Sequence, residues 1–384
     1  MTSLDNETKP DGVFDFTAVD AAYVSPTYLR AHMRDYLYNY DKGVYWLRAP
    51  SHIGKTLFVR GLTAKRVGKD QTTLEGIDSN IATGMRAVAV HIREAGCSGP
   101  RPFVKALKAA FDAEFNLDEA ERALSAPNIR YADLAEARAD FLTWFQLLRD
   151  TAAAKDAQRL LVCIDGLEQM ASPGSSPSGE AYSIVDLLPE VSETSQGIVL
   201  LITSRPAEAW PPAQFEQAAQ KFGGGFGFLL RDITLEDEAY VKMLRLYFWD
   251  TVRSMFRSRA MAHLEQLLES RPRIKSAKDA RLGNDLAFRD ALKADWKKLT
   301  NKYPRYALDQ LPVGELTQTF DQIDKLWTDT MDRAERRFGL VSLVLGRIVD
   351  GSLALEQVAE LPKGDAMLGS FEALRPQVVA GVAE

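Results

Sequence analysis

Cysteine occurs only twice in the 384 residues, as Cys97 and Cys163, in separate segments. Two thiols so placed form neither a metal-ligand spacing nor a disulfide framework, and they point to a reducing compartment. The start, Met1-Thr2-Ser3-Leu4-Asp5, has neither the basic opening nor the apolar core of a signal peptide. No apolar run approaches the length needed to span a bilayer, so a soluble, cytoplasmic protein is expected, with no membrane partner. An excess of positive charge is missing as well: 47 basic residues stand against 53 acidic ones, for a net charge of −6. That balance argues against a general nucleic-acid binder, although it leaves room for a local basic patch. With 46% hydrophobic residues the chain can bury large cores, and its length suggests two or three domains.

The most informative run present is Ala49-Pro50-Ser51-His52-Ile53-Gly54-Lys55-Thr56, which approaches the phosphate-gripping pattern of a glycine and four free positions before Gly-Lys-Thr. Val44-Tyr45-Trp46-Leu47 before it reads as a strand, and Leu57 to Ala64 after it has helical spacing. In such a unit Gly54 lets the backbone approach phosphate oxygens at the positive end of a helix. Lys55 can reach the β and γ phosphates, and the Thr56 hydroxyl is placed to bind Mg2+. Pro50, Ser51, His52, Ile53, Gly54, Lys55, Thr56 and Leu57 are therefore the candidate nucleotide-contacting residues. Ala49 stands where the first glycine is usual, so the loop must turn without a positive φ there. The alternative is an ordinary strand-to-helix turn with a solvated lysine, and His52 itself reads as a solvent-facing loop residue.

Two further strands end in polar residues. Arg159-Leu160-Leu161-Val162-Cys163-Ile164-Asp165 is an apolar run closing on a carboxylate, as in a buried parallel strand whose C-terminal end faces a ligand. Asp165 would hold Mg2+ through water, and Glu168 would polarise a water attacking the γ phosphate. Both acids read alternatively as helix-start residues that complement a macrodipole. Gly197-Ile198-Val199-Leu200-Leu201-Ile202-Thr203-Ser204-Arg205-Pro206 ends in hydroxyls and a cation. Arg205 is a candidate sensor of the γ phosphate, or else a surface arginine before a proline-rich loop.

Taken together, Ile164-Asp165-Gly166-Leu167-Glu168, Ile202-Thr203-Ser204-Arg205 and the phosphate loop resemble the STAND class of signal-transduction ATPases, which includes NACHT and apoptotic-ATPase proteins. The resemblance implies an α/β P-loop domain with a mostly parallel central sheet, an all-α lid and a winged-helix-like C-terminal domain. It implies ATP/ADP and Mg2+ as cofactors, with Lys55 and Thr56 in the phosphate loop and Asp165 at the magnesium. Glu168 matches the first acid and Arg205 the sensor. It also implies self-association on activation, in a defence or cell-death pathway, with a sensor or effector supplied by another chain or domain. Gln169 stands where the class usually has a second acid, and an amide cannot accept a proton from water. Lys302-Tyr303-Pro304 lies where the class sets a Gly-x-Pro against adenine, so Pro304 is either a base contact or a helix breaker. The histidine that some relatives bring to bound ADP has no counterpart, because His263 is the last in the chain. A nucleotide-locked scaffold and a small-molecule phosphotransferase are the competing readings.

The expected organisation is a tail over 1–15, a nucleotide domain over 16–233, a helical domain over 234–330 and a winged-helix-like domain over 331–384. Pro26 opens a helix with Leu29, Met33 and Leu37 on one face, beside Tyr23 and Val24 as candidate adenine contacts or packing residues. Ala87 to Ile92 reads as a strand in which His91 is a packed or surface residue. Helices are expected over 102–115, with Phe103, Leu107 and Phe111 as a core stripe, and over 131–153. Ser172 to Gly179 is a loop, either a lid or an inert excursion. Gly223-Gly224-Gly225 precedes a strand, not a helix, so it is no second phosphate loop. Thr234 with Asp237 resembles a helix-start box. Basic residues between Arg253 and Lys298 are interspersed with acids, as on a solvated helical face. Phe338 to Leu345 and Leu353 to Leu361 read as two helices joined at Gly351-Ser352.

Overall fold

The computed structural model describes residues 27–63, 84–93, 96–117, 133–173, 181–248, 251, 316–349 and 351–371. Tyr23, Val24, Pro304, the tail, the stretch from Arg253 to Lys298 and most of the loop over 172–179 lie outside the described residues. The chain divides into two compact units, Met1–Tyr240 and Val241–Glu384.

The first unit is built on a five-stranded parallel sheet with helices on both faces. Its order of elements is α1 (Thr27–Asn39), β1 (Gly43–Arg48), α2 (Lys55–Thr63), β2 (Met85–His91), α3 (Pro100–Phe115), α4 (Leu134–Ala154), β3 (Arg159–Asp165), the short α5 (Ile184–Leu187), β4 (Ile198–Ser204), α6 (Pro212–Phe222) and β5 (Phe228–Asp232). A helix α7 then runs over 238–248. Across the sheet the strands lie in the order β2-β3-β4-β1-β5. The chain therefore leaves β1 in one direction to reach the edge at β2, then steps back inward through β3 and β4. Parallel crossovers are right-handed, so reversing the direction of travel reverses the face on which the connecting helices lie.

The residues carry this out through alternation. Val44 and Trp46 of β1, Val88 and Val90 of β2, Leu160, Val162 and Ile164 of β3, and Ile198, Leu200 and Ile202 of β4 form one buried face, against side chains of α3, α4, α5 and α6. The alternate residues, among them Tyr45, Leu47, Leu161, Cys163, Val199 and Leu201, are also buried and point to the opposite face. β3 and β4 are thus apolar throughout because both faces are covered. The stripe Phe103, Leu107 and Phe111 is fully buried, as its spacing predicts. α3 has proline in its first turn and ends at Asn116 in the left-handed conformation, while the Asp133 carboxylate caps α4 by accepting from the Ala135 amide at 2.7 Å. The cap before α7 differs from the expected Thr234 box. Asp237 itself accepts from the amides of Ala239 and Tyr240 at 3.1 and 3.2 Å, so the helix starts one turn later than the box would have it.

In the second unit, α8 (Leu316–Arg333) and α9 (Phe338–Val349) are followed by a 3-10 segment, Leu355–Glu360. Leu340, Val341, Val344, Leu345, Ile348, Val358 and Met367 are buried there. Phe248 packs edge-on to Trp327 with ring centres 5.0 Å apart, and the Tyr247 hydroxyl lies 2.9 Å from that of Ser342. The expected second helix after Gly351-Ser352 is this 3-10 segment, and no strand occurs among the described residues of the unit. No helix among the described residues is long and apolar enough to cross a membrane.

Gly43 is the point at which β1 enters the sheet, with φ at +127°. A Cβ there would sit 2.1 Å from the Gly227 carbonyl oxygen, which accepts from Val44 N at 3.0 Å and the Tyr36 hydroxyl at 2.7 Å. Both the conformation and the clash oppose a side chain. Gly43→Ala is expected to lower the stability of the first unit by about 2–4 kcal/mol in urea unfolding, with the slope m unchanged.

Candidate nucleotide-binding site

Parallel strands bring their C-terminal ends to one edge of the sheet, and the polar residues singled out in the sequence meet there. β1 passes directly into the loop 49–54 and then α2. Ala49 still donates its amide to Ser204 C=O at 3.1 Å, so it continues the extended pairing and needs no positive φ. The turn is taken later, by His52 at φ 63° and Gly54 at φ 101°. This explains how alanine is accommodated at the first position. The first helical hydrogen bond runs from Phe58 N to Gly54 C=O at 2.8 Å. The amides of Lys55, Thr56 and Leu57 come before it and have no helical acceptor, which leaves them as donors for an anion. Ile53 is buried beneath the loop, where its carbonyl accepts from the buried Tyr28 hydroxyl of α1 at 3.3 Å. Burial raises the Tyr28 pKa first, with the fields of Tyr240, Asp237 and Tyr45 adding to it, so the phenol stays a donor. Pro50, Ser51 and His52 are half-buried on the rim of the loop.

Lys55 curls back over the loop. Its ammonium donates to the carbonyls of Ala49 at 2.6 Å and Pro50 at 2.7 Å. Burial pulls its pKa down to about 8, against the raising influence of Glu168 and Asp165 and with some help from Arg205. An ammonium so placed gains from any anion that arrives beside it.

Asp165 is the hub of the site and is 6% exposed. One carboxylate oxygen, Oδ2, accepts from Thr56 Oγ1 at 2.6 Å and from His91 Nδ1 at 3.1 Å; the other accepts from Thr203 Oγ1. Burial alone would raise its pKa, but the hydrogen bond and field of His91, then the hydroxyls of Thr203 and Thr56, outweigh it and hold the pKa below its ordinary value. Because Thr56 uses its hydrogen on Asp165, both hydroxyl lone pairs remain free. These are hard oxygen donors, and a cation that takes one or two protein oxygens and completes its shell with water and phosphate is Mg2+. The donor set therefore fits Mg2+. Among the described residues no cluster of three or more His, Cys, Asp or Glu forms an all-protein metal cage.

Beyond Gly166, which turns at φ 78°, Glu168 lies in a 3-10 turn with its side chain 5% exposed. Its Oε1 meets Arg205 Nε at 3.3 Å and the Gln169 amide at 3.4 Å, while Oε2 accepts from the Arg205 backbone amide at 3.2 Å. Gln169 is thus a donor to Glu168. The Arg205 carbonyl in turn accepts from Trp210 Nε1 at 3.0 Å and from Ser204 Oγ at 3.0 Å. Ser204 Oγ also accepts from Trp46 Nε1 at 2.9 Å.

The structure therefore brings Lys55, Thr56, Asp165, Glu168 and Arg205 to one edge. His91, expected to be a packed or surface residue, is packed, and what it packs against is the Asp165 carboxylate. Thr203 and Tyr28 also belong to the site without having been assigned to it. Thr203 carried the signal that marked Asp165, a polar residue at the end of an apolar strand, whereas His91 lies in an alternating run.

The Lys55 pKa fixes a pH dependence. An anion binds the ammonium in preference to the amine, so above about pH 8 binding must first restore the proton. Triphosphate affinity, measured by calorimetry in matched ionic strength, is expected to fall by up to about tenfold per pH unit above that value. The free protein should respond in the opposite sense. Its folded lysine titrates below the unfolded value of 10.5, so the unfolded chain holds more protons between about 8 and 10.5. Stability against urea should rise with pH across that window.

No protein-family model matches the chain, and no curated protein sequence matches it. Among solved structures, a Walker-type ATPase of Pyrococcus abyssi aligns over 90% of this chain and 87% of its own at 13% identity. Its TM-score is 0.33, a likeness too slight to bear on the fold or activity of this chain.

Proposed function

We propose that this protein is an ATP-binding molecular switch that turns its nucleotide over slowly. The observation that carries this reading is the convergence of Lys55 and Thr56, at the start of α2, with the buried Asp165 at the end of β3. A lysine, a hydroxyl and a carboxylate at the mouth of a strand-loop-helix unit are suited to a Mg2+-bound polyphosphate and to few other ligands. Lys55 exchanges the carbonyls of Ala49 and Pro50 for phosphate oxygens. Thr56 and Asp165 would hold Mg2+, which neutralises charge on the β and γ phosphates when bound.

The pair Glu168–Arg205 gives the site a way to distinguish triphosphate from diphosphate. A γ phosphate competes with Glu168 for the Arg205 guanidinium, and a phosphate offers the stronger charge-assisted partner. Glu168, once released, accepts a proton from an attacking water. The differential contact that separates the ATP and ADP states is then Arg205 with the γ phosphate. A STAND-like role, with the second unit comprising a helical lid and a winged-helix-like part and with self-association in the ATP state, is the finer form of this proposal. Defence or cell-death signalling through a sensor or effector partner belongs to the same form.

A second reading is a nucleotide-locked scaffold without turnover. It is favoured by Glu168 having both oxygens engaged and by Gln169 supplying an amide at the place of a second acid.

Mass spectrometry of native protein should find bound adenine nucleotide, and Lys55→Ala should weaken ATP binding by about 100-fold or more. Equal ATP affinity in the two forms, or none in either, overturns the proposal. Arg205→Ala should abolish the preference for ATP over ADP while leaving ADP affinity within about twofold. Glu168→Gln should keep binding and lower phosphate release by about 100-fold; no release from the wild type, with tight binding, selects the scaffold.

A further inference from the structure

His91, Asp165 and Thr203 occupy one level of three adjacent strands. In the register of the sheet His91 of β2 is opposite Asp165 of β3, which is opposite Thr203 of β4. Residues paired across neighbouring strands project to the same face of the sheet. The two flanking side chains accordingly close on the carboxylate from either side, Thr203 on Oδ1 and His91 on Oδ2. The backbone fixes the same level, because the Ile92 amide donates to the Asp165 carbonyl at 3.0 Å. The His91 side chain is 18% exposed and that of Asp165 7%, so the contact is shielded from water. An ionised carboxylate only accepts, so Nδ1 is the protonated ring nitrogen in this contact.

We infer that His91 is a positioning residue for the magnesium site, in which it and Thr203 clamp the Asp165 carboxylate in the orientation that serves the cation beside Thr56. This rests on the nucleotide-binding reading above. The chemistry follows from the carboxylate's two torsional freedoms. Thr56 on Oδ2 and Thr203 on Oδ1 hold one oxygen each, and His91 adds a second donor to Oδ2 from the strand on the opposite side of β3. Donors from both flanking strands, which cannot move independently, hold the carboxylate from either side before the metal arrives. Partners of this kind change metal affinity by about 10–100-fold without touching the metal.

The test uses Mn2+ as a spectroscopically visible substitute, titrated into the full chain saturated with ADP and followed by electron paramagnetic resonance. ADP affinity in EDTA is measured in parallel. His91→Ala should weaken Mn2+ binding about tenfold or more and leave metal-free ADP affinity within about twofold. His91→Asn, whose amide nitrogen takes the place of Nδ1, should recover most of the loss. The inference is overturned if His91→Ala binds Mn2+ within twofold of the wild type, if metal-free ADP affinity falls by as much as that for Mn2+, or if His91→Asn is as impaired as His91→Ala. Should His91→Ala fail to fold, His91→Asn alone decides, with near-wild-type Mn2+ binding required. A wild-type chain that binds no ADP under either condition overturns the nucleotide-binding reading, and this inference with it; normal wild-type binding with an indifferent His91→Ala overturns the inference alone.

Discussion

A carboxylate kept ionised inside the protein is the constraint to which the rest of the site answers. Asp165 is almost wholly withdrawn from water, and a charge so placed is tolerated only when its lone pairs are met by donors. Each donor comes from a different element: Thr56 from α2, His91 from β2 and Thr203 from β4. Satisfying one residue therefore fixes the relative heights of three strands and the start of a helix. That the sheet is parallel matters here, since only then do β2, β3 and β4 all end on the side where α2 begins. The apolar runs behind them, covered on both faces, make that alignment rigid.

The charged groups of the site complete one another. Lys55 is held by its own loop's carbonyls, and Arg205 by Glu168. Buried and half-buried charges without partners would destabilise the fold, so each has an internal substitute for the ligand it is suited to. On the proposed reading, a polyphosphate would have to displace those substitutes, and the free energy of displacement would be the means by which binding alters the site's internal contacts.

How far the site could be read in advance followed the range of the interaction. The strand-loop-helix unit around Gly54, Lys55 and Thr56 is local, and its residue types and spacing identify it. Asp165 was marked by an apolar run ending in a charge, which also reflects local order. His91 belongs to a strand with an alternating pattern, and alternation says which face a side chain takes but not what occupies the neighbouring strand. Its role depends on β2 pairing with β3 in one particular register, across a separation of 74 residues. Thr203 was legible only as a hydroxyl at a strand end, for the same reason. The cap fell to Asp237 and not Thr234, and both residue types can open a helix, so residue type alone did not decide between them.

The indole of Trp210 has its own consequence. Its ring nitrogen is bonded to the Arg205 carbonyl, it is 5% exposed, and its ring centre lies 6.0 Å from that of Trp46, which is tied to the neighbouring Ser204. Emission from a shielded indole is sensitive to the polarity and hydrogen bonding at that nitrogen. Two indoles are thus tied to the backbone at Ser204 and Arg205, so a displacement of the Arg205 main chain would register in the intrinsic emission without any added dye.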